Sequence, residues 1–288
     1  CIHPRICPNL NTDHSKLLDI YHAVDALPGI KKSFIGSGVR YDLLLHRSGD
    51  EKSDKAARDY TRELICRHVS GRLKVAPEHT SDKVLYQMRK PSFQLFYEFK
   101  RIFDRINKEE NLKQQIIPYF ISSHPGCQEE DMAELAVITK DLDFHLEQVQ
   151  DFTPTPMTVS TEAWYTGYDP YTLEPVFCAR TQREKLAQRQ FFFWYKKDER
   201  ANIERELRRI GRADLIGKLY SGTGFANRHA VYDDKAIGSR PDYPQKSRKK
   251  KPNEKASFNP NFNHSGQRPN GSRKNRPADG RKNYHRDS

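Results

Sequence analysis

Apolar positions along the first half of the chain recur with two alternating periods. Short runs rich in β-branched and aromatic types fall at 32–36, 72–76, 116–121 and 148–152, the pattern of strands. Between them the apolar residues step by three and four, the pattern of amphipathic helices. The spacing predicts helices over 13–27, 54–69, 81–88, 92–107 and 129–140. Asp13 is the expected N-cap of the first, with Leu17, Leu18, Ile20, Tyr21, Val24 and Leu27 on one face and Pro28-Gly29 at its end. The fourth carries Phe93, Phe96, Tyr97, Phe99, Lys100 and Phe103, an aromatic face suited to a core.

Four strands alternating with helices predict βα units and a parallel sheet. The run at 116–121 contains Pro118, which conflicts with a central strand because it lacks an N–H; a bulge or an edge position would accommodate it. The loop 122–126 is small and polar, with Pro125-Gly126 as its turn signal. Glu129, Glu130 and Asp131 then occupy a first helical turn, where the helix dipole favours negative charge.

Beyond Trp164 the pattern changes to aromatic turns and short helices. Thr181 and Glu184 form a capping box. Leu186 and five consecutive aromatics, Phe191 to Tyr195, follow it, so cover from more than one side is expected. A helix over 199–210 closes at Gly211. We expect a sheet region over 1–156, a small helical region over 157–232 and a tail over 233–288. The tail has no hydrophobic pattern and is expected to be disordered.

Charge sharpens that division. Residues 241–288 carry 13 Lys and Arg against 4 Asp and Glu, a net +9 of the chain's +12, leaving +3 for residues 1–240. The mean hydropathy of −0.91 reflects this tail. A run such as Arg248-Lys249-Lys250-Lys251 binds polyanions, with RNA the natural candidate partner; a purely solubilising tail fits equally. No apolar run approaches the roughly 20 residues that cross a bilayer, and no signal peptide is visible. Five cysteines at irregular spacing give no disulfide framework, so a reducing cytoplasm is expected. Cys1, His3 and Cys7 are soft ligands close in sequence, but their spacing matches no strong zinc pattern.

Candidate chemistry gathers at the predicted strand ends, where parallel α/β folds place ligands. The loop 122–126 is one such end, or else an ordinary connection. Ser37-Gly38-Val39-Arg40 permits close backbone approach, and Arg40 suits a carboxylate; it reads equally as a surface arginine. Lys74, Glu78 and His79 place three ionisable groups beside one strand end, as an acid/base cluster or as a helix start.

Five stretches together resemble the C-terminal half of the YgiQ-type radical S-adenosylmethionine proteins. They are Gly29-Ile30-Lys31-Lys32, Ser37-Gly38-Val39-Arg40-Tyr41-Asp42-Leu43, Leu73-Lys74-Val75-Ala76-Pro77-Glu78-His79, Pro118 to Gly126, and Val149 to Pro156. The resemblance runs to about residue 220. It implies an α/β fold forming the C-terminal half of a partial (βα) barrel. It also implies a 4Fe–4S cluster held by a Cys-x3-Cys-x2-Cys loop, and S-adenosylmethionine cleaved to a deoxyadenosyl radical. On it, Ser37, Arg40, Ser122, Ser123, His124, Pro125 and Gly126 would face the cofactor, and Lys74, Glu78, His79 and Gln150 the substrate. This sequence has no Cys-x3-Cys-x2-Cys. The resemblance therefore places the cluster loop in a missing N-terminal half and leaves this chain inactive alone. The chain also opens on Cys1 rather than Met, which fits a portion of something longer. The alternative is a non-catalytic RNA-binding module anchored by the tail.

Overall fold

A computed structural model describes residues 2–221 of the chain. The predicted basic tail lies outside the described residues. Three strands form the sheet: β1 (Arg72–Glu78), β2 (Gln115–Ser122) and β3 (Gln148–Asp151), all parallel in the order β1-β2-β3. Parallel neighbours need a crossover between them. Here α4 (Asp82–Gln87) and α5 (Gln94–Glu109) connect β1 to β2, and α6 (Glu129–Asp141) connects β2 to β3. Ahead of the sheet come α1 (Ser15–Asp25), α2 (Tyr41–Leu45) and α3 (Glu51–Arg67). After it come α7 (Val159–Thr166), α8 (Gln182–Arg189), a 3₁₀ turn (Gln190–Phe193), α9 (Arg200–Arg209) and α10 (Asp214–Tyr220). Among the described residues no helix is long and apolar enough to cross a membrane.

The strand expected over 32–36 does not form. The segment runs beside β1 through isolated contacts: Ile35 N–H to the His68 carbonyl at 2.9 Å, and Val39 N–H to the Lys74 carbonyl at 3.1 Å, with one parallel bridge, Val39 to Val75. These contacts are too few and too widely spaced to make a continuous ladder. Pro118 does sit in the central strand, opposite Val75, and the β1–β2 register shifts between Val75 and Glu78. Pro77 lies within that shift. Two residues without N–H groups thus meet where the ladder is already interrupted, which is how a central strand tolerates proline.

Alternation along the strands gives the sheet two unlike faces. Leu73, Val75, Ile116 and Phe120 are buried against α3, α5 and α6 in one core that includes Leu64, Ile65, Phe96, Phe99, Phe103, Leu135 and Ala136. The aromatic face of α5 is therefore core, as its spacing predicts. The other face carries exposed Arg72, Lys74 and Gln150, half-buried Tyr119 and Ile121, and buried Ile117. A parallel sheet is usually covered on both sides, so the polar face is the unusual one.

Two expectations about helices need correction. The apolar stripe of α1 is only half covered: Leu18 and Tyr21 pack against the core, while Leu17 and Ile20, and Leu27 just past the helix end, are 42%, 57% and 55% exposed. Besides that packing, α1 is held by a hydrogen bond between His22 Nε2 and Glu63 Oε1 at 2.7 Å and by the Tyr21 ring stacked on His68 at 4.1 Å. The run Phe191 to Tyr195 lies on and just after the 3₁₀ turn rather than on the capped helix, with Phe191 to Phe193 in the turn. Its tighter rotation spreads the rings, and Phe191, Phe192 and Trp194 join the same core as Leu135 and Ala136 of α6. The expected capping box at α8 is present, with Glu184 Oε2 accepting the Thr181 N–H at 2.8 Å. α7 and α10 were not legible in the pattern.

Phe120 is fully buried at the centre of β2. Phe120→Ala is expected to lower unfolding free energy by about 3–5 kcal/mol, measured by urea denaturation at unchanged slope.

Candidate functional site

The loops leaving β1 and β2 carry a shared oddity. Glu78 ends β1 at φ +68°, and Ser123 follows β2 at φ +60°. Neither is glycine, and this left-handed region costs such residues free energy, strain that tends to mark functional positions. Both side chains are buried. Glu78 Oε1 pairs with Lys90 Nζ at 3.0 Å, while its Oε2 has no hydrogen-bond partner; the Ser123 hydroxyl has none either. A buried polar atom without a partner costs about 1–3 kcal/mol. Two of them, on adjacent strand ends, define an incomplete polar site on the edge where parallel sheets bind ligands.

The surrounding groups are ordered. Gly38 comes close to the β1 backbone, a Cβ there lying 3.8 Å from the Lys74 carbonyl oxygen. Arg40 is exposed and donates from Nε to Asp42 Oδ1 at 3.0 Å, with a second contact from Nη2 to Oδ2. That pairing raises the guanidinium's pKa further. Ser37 and Lys74 are exposed. Burial raises the Tyr119 hydroxyl's pKa, with the Glu78 carboxylate adding to it. Tyr119 donates to Gln150 Oε1 across β2 and β3. Ser122 donates to Asp151 Oδ1 at 2.6 Å, and Arg189 Nη1 reaches Asp151 Oδ2 at 3.1 Å.

The two histidines turn inward. His79 is fully buried; its Nδ1 accepts the Ser81 N–H at 3.0 Å, and its Nε2 faces Cys127 Sγ at 3.5 Å. His124 Nδ1–H donates to the Pro125 carbonyl at 2.9 Å, and its Nε2 accepts from Ser160 Oγ at 2.8 Å. Burial pushes both rings down to about 4, so both are neutral at pH 7. The substrate role expected for His79 does not suit a ring whose nitrogens are both engaged behind the strand end. Burial likewise raises the Cys127 thiol's pKa well above its ordinary value. It is an inert core thiol rather than a nucleophile.

The structure thus brings together Glu78, Ser122, Ser123, His124, Pro125 and Gly126 at one edge, with Ser37 and Arg40 beside β1 and Lys74 and Gln150 on the polar face. Sequence reasoning missed Lys90, which holds Glu78, and Gln188, whose amide reaches the Ser123 loop. Neither stands in a motif; only contact reveals them.

These features define a parallel α/β protein with a ligand-type strand edge. The chain is 79% identical over 220 residues to a UPF0313 protein of Bacteroides thetaiotaomicron, covering 76% of the chain and 36% of that relative. It is 65% identical over 223 residues to one of Porphyromonas gingivalis, covering 77% of the chain and 35% of the relative. A UPF0313 protein of Methanosarcina mazei is 42% identical over 220 residues, covering 76% and 34%. The similarity supports a UPF0313 family assignment, and the chain spans about a third of these relatives' length. A family described as a domain of unknown function (DUF3362) matches residues 147–287.

Each buried histidine has a folded pKa of about 4 against an unfolded value near 6.5. A depressed histidine contributes stability that is complete above pH 6.5 and is lost as pH falls toward 4. Denaturation midpoints should be level from pH 8 to 7 and fall steadily below 6.5. Equal midpoints at pH 7 and 4.5 would show that these rings are not buried neutral.

Proposed function

We propose that this chain forms the wall of a cofactor and substrate pocket in a longer radical S-adenosylmethionine enzyme. The observation that carries the reading is the pair of unpartnered buried atoms, Glu78 Oε2 and Ser123 Oγ, on left-handed residues at neighbouring strand ends. A carboxylate oxygen and a hydroxyl suit a ligand that presents ammonium or sugar hydroxyl donors. Arg40, which already pairs with Asp42, would exchange or share that partner to recognise a ligand carboxylate, and the loop Ser122 to Gly126 would offer backbone to a nucleoside. S-adenosylmethionine has all of these groups, and when bound it supplies a deoxyadenosyl group for radical chemistry. Lys74 and Gln150, on the polar sheet face, would meet the substrate. That face then corresponds to a barrel interior, closed by the part of the relatives that this chain does not span.

The iron–sulfur cluster does not fit this chain's own side chains. Among the described residues no three His, Cys, Asp or Glu come together to hold a metal ion. Cys7, Cys66, Cys127 and Cys178 are free and separate. In this reading the cluster thiolates belong to the longer protein, and this chain's residues bind, orient and exclude water.

The full-length protein, reconstituted with iron and sulfide, is expected to show 4Fe–4S absorption and to release 5′-deoxyadenosine. A colourless, cluster-free protein after reconstitution would overturn the reading. Glu78→Gln or Arg40→Ala in that protein should reduce product formation by about tenfold or more, a loss of about 1.4 kcal/mol, while the cluster spectrum persists.

The charge of residues 241–288 favours a second role beside the first: binding RNA. Affinity for single-stranded RNA should fall steeply between 50 and 200 mM salt and vanish when 241–288 are deleted. Binding unaffected by that deletion would exclude the tail as the anchor.

A further inference from the structure

The loop between β2 and α6 is gripped from outside by residues that come later in the chain. Gln188 of α8 is fully buried. Its Oε1 accepts the Ser123 N–H at 2.7 Å, and its Nε2 donates to the Cys127 carbonyl at 2.8 Å. One side-chain amide thus bridges both ends of the loop. The next residue, Arg189, holds Asp151, which in turn accepts from Ser122. The Gly126 N–H donates to the Phe177 carbonyl at 2.8 Å, and Ser160 donates to His124. Gly126 is also sterically confined: at φ +85°, a Cβ there would lie 3.0 Å from Gln87 Cγ and 3.9 Å from Val176 Cγ1.

Asp151, Ser160, Val176, Phe177, Gln188 and Arg189 all fall within the segment matched as a domain of unknown function, and the loop they hold precedes it. We propose that this domain acts as a clamp that sets the conformation of the β2–α6 loop, with Gln188 as its positioning residue. Ser123 keeps its left-handed backbone because its N–H is tied to an amide that is itself tied to Cys127. Releasing Gln188 frees both ends together. The Gln188 amide serves both, since it accepts from an N–H through its oxygen and donates to a carbonyl through its nitrogen. A ligand that prefers the clamped loop must stabilise docking of the clamp by the same free energy. That coupling rests on the loop being ligand-facing; the clamp itself does not.

The test is residue-resolved amide hydrogen exchange on the 288-residue chain, comparing the parent sequence with Gln188→Leu and Gln188→Glu. Gln188→Leu should speed exchange at Ser123 and Gly126 by about tenfold or more, with the core amides of Leu64 and Phe99 changed less than about twofold. Gln188→Glu keeps the acceptor for Ser123 and loses the donor for Cys127, so its exchange should be intermediate. It also decides the matter should Gln188→Leu fail to fold. Unchanged exchange at Ser123 and Gly126 would overturn the clamp. So would acceleration shared equally by Leu64 and Phe99, which marks general loss of stability. The readout needs no S-adenosylmethionine, so failure here leaves the cofactor reading standing, and failure of that reading leaves the clamp.

Discussion

Parallel strand pairing is the constraint from which the rest of this structure follows. Each pair needs a crossover, and α5 and α6 return on the same side of the sheet, burying Leu73, Val75, Ile116 and Phe120 in one core. One consequence comes with this geometry: the strand-to-helix loops all leave along one edge, while the opposite face of the sheet carries Arg72, Lys74, Tyr119 and Gln150 beside a buried Ile117.

The edge bears the cost of its chemistry. Glu78 and Ser123 sit in left-handed backbone with buried polar atoms that nothing among the described residues satisfies. A stable fold keeps such features only where its packing over-determines them. Here that packing comes from two sides. Lys90 holds Glu78 from the helical layer, while Gln188, Arg189 and Phe177 hold the Ser123 loop from the later helices. The inward histidines belong to the same scaffold. His79 and His124 spend their ring nitrogens on a backbone N–H, a thiol, a carbonyl and a serine, stiffening the strand ends they stand behind.

Several surfaces are less apolar or more exposed than the sheet's helical side. Leu17 and Ile20 of α1 face water, and the helix is anchored by Leu18 and Tyr21 against the core, by the His22–Glu63 hydrogen bond and by ring stacking on His68. The polar sheet face, with Lys74, Tyr119 and Gln150, is the other case. The chain spans about a third of the length of its UPF0313 relatives.

Local periodicity was enough to find β1, β2, β3 and helices α3 to α6, because each buries a face with its own repeat. It also found the α8 capping box, an interaction between residues three apart. It placed Ser122 to Gly126 and Glu78 at strand ends, which is where they are. It failed at 32–36, where the segment makes only isolated contacts with β1 and no continuous ladder, and in part at α1, where Leu17 and Ile20 stay exposed while Leu18 and Tyr21 pack. Nothing local marks Gln188 as different from any surface glutamine, nor Ser123 as left-handed. Those properties arise only when α8 meets the end of β2, 65 residues away in sequence. Hydrogen-bond partners are chosen by proximity in space, and a sequence pattern records only what neighbours along the chain share.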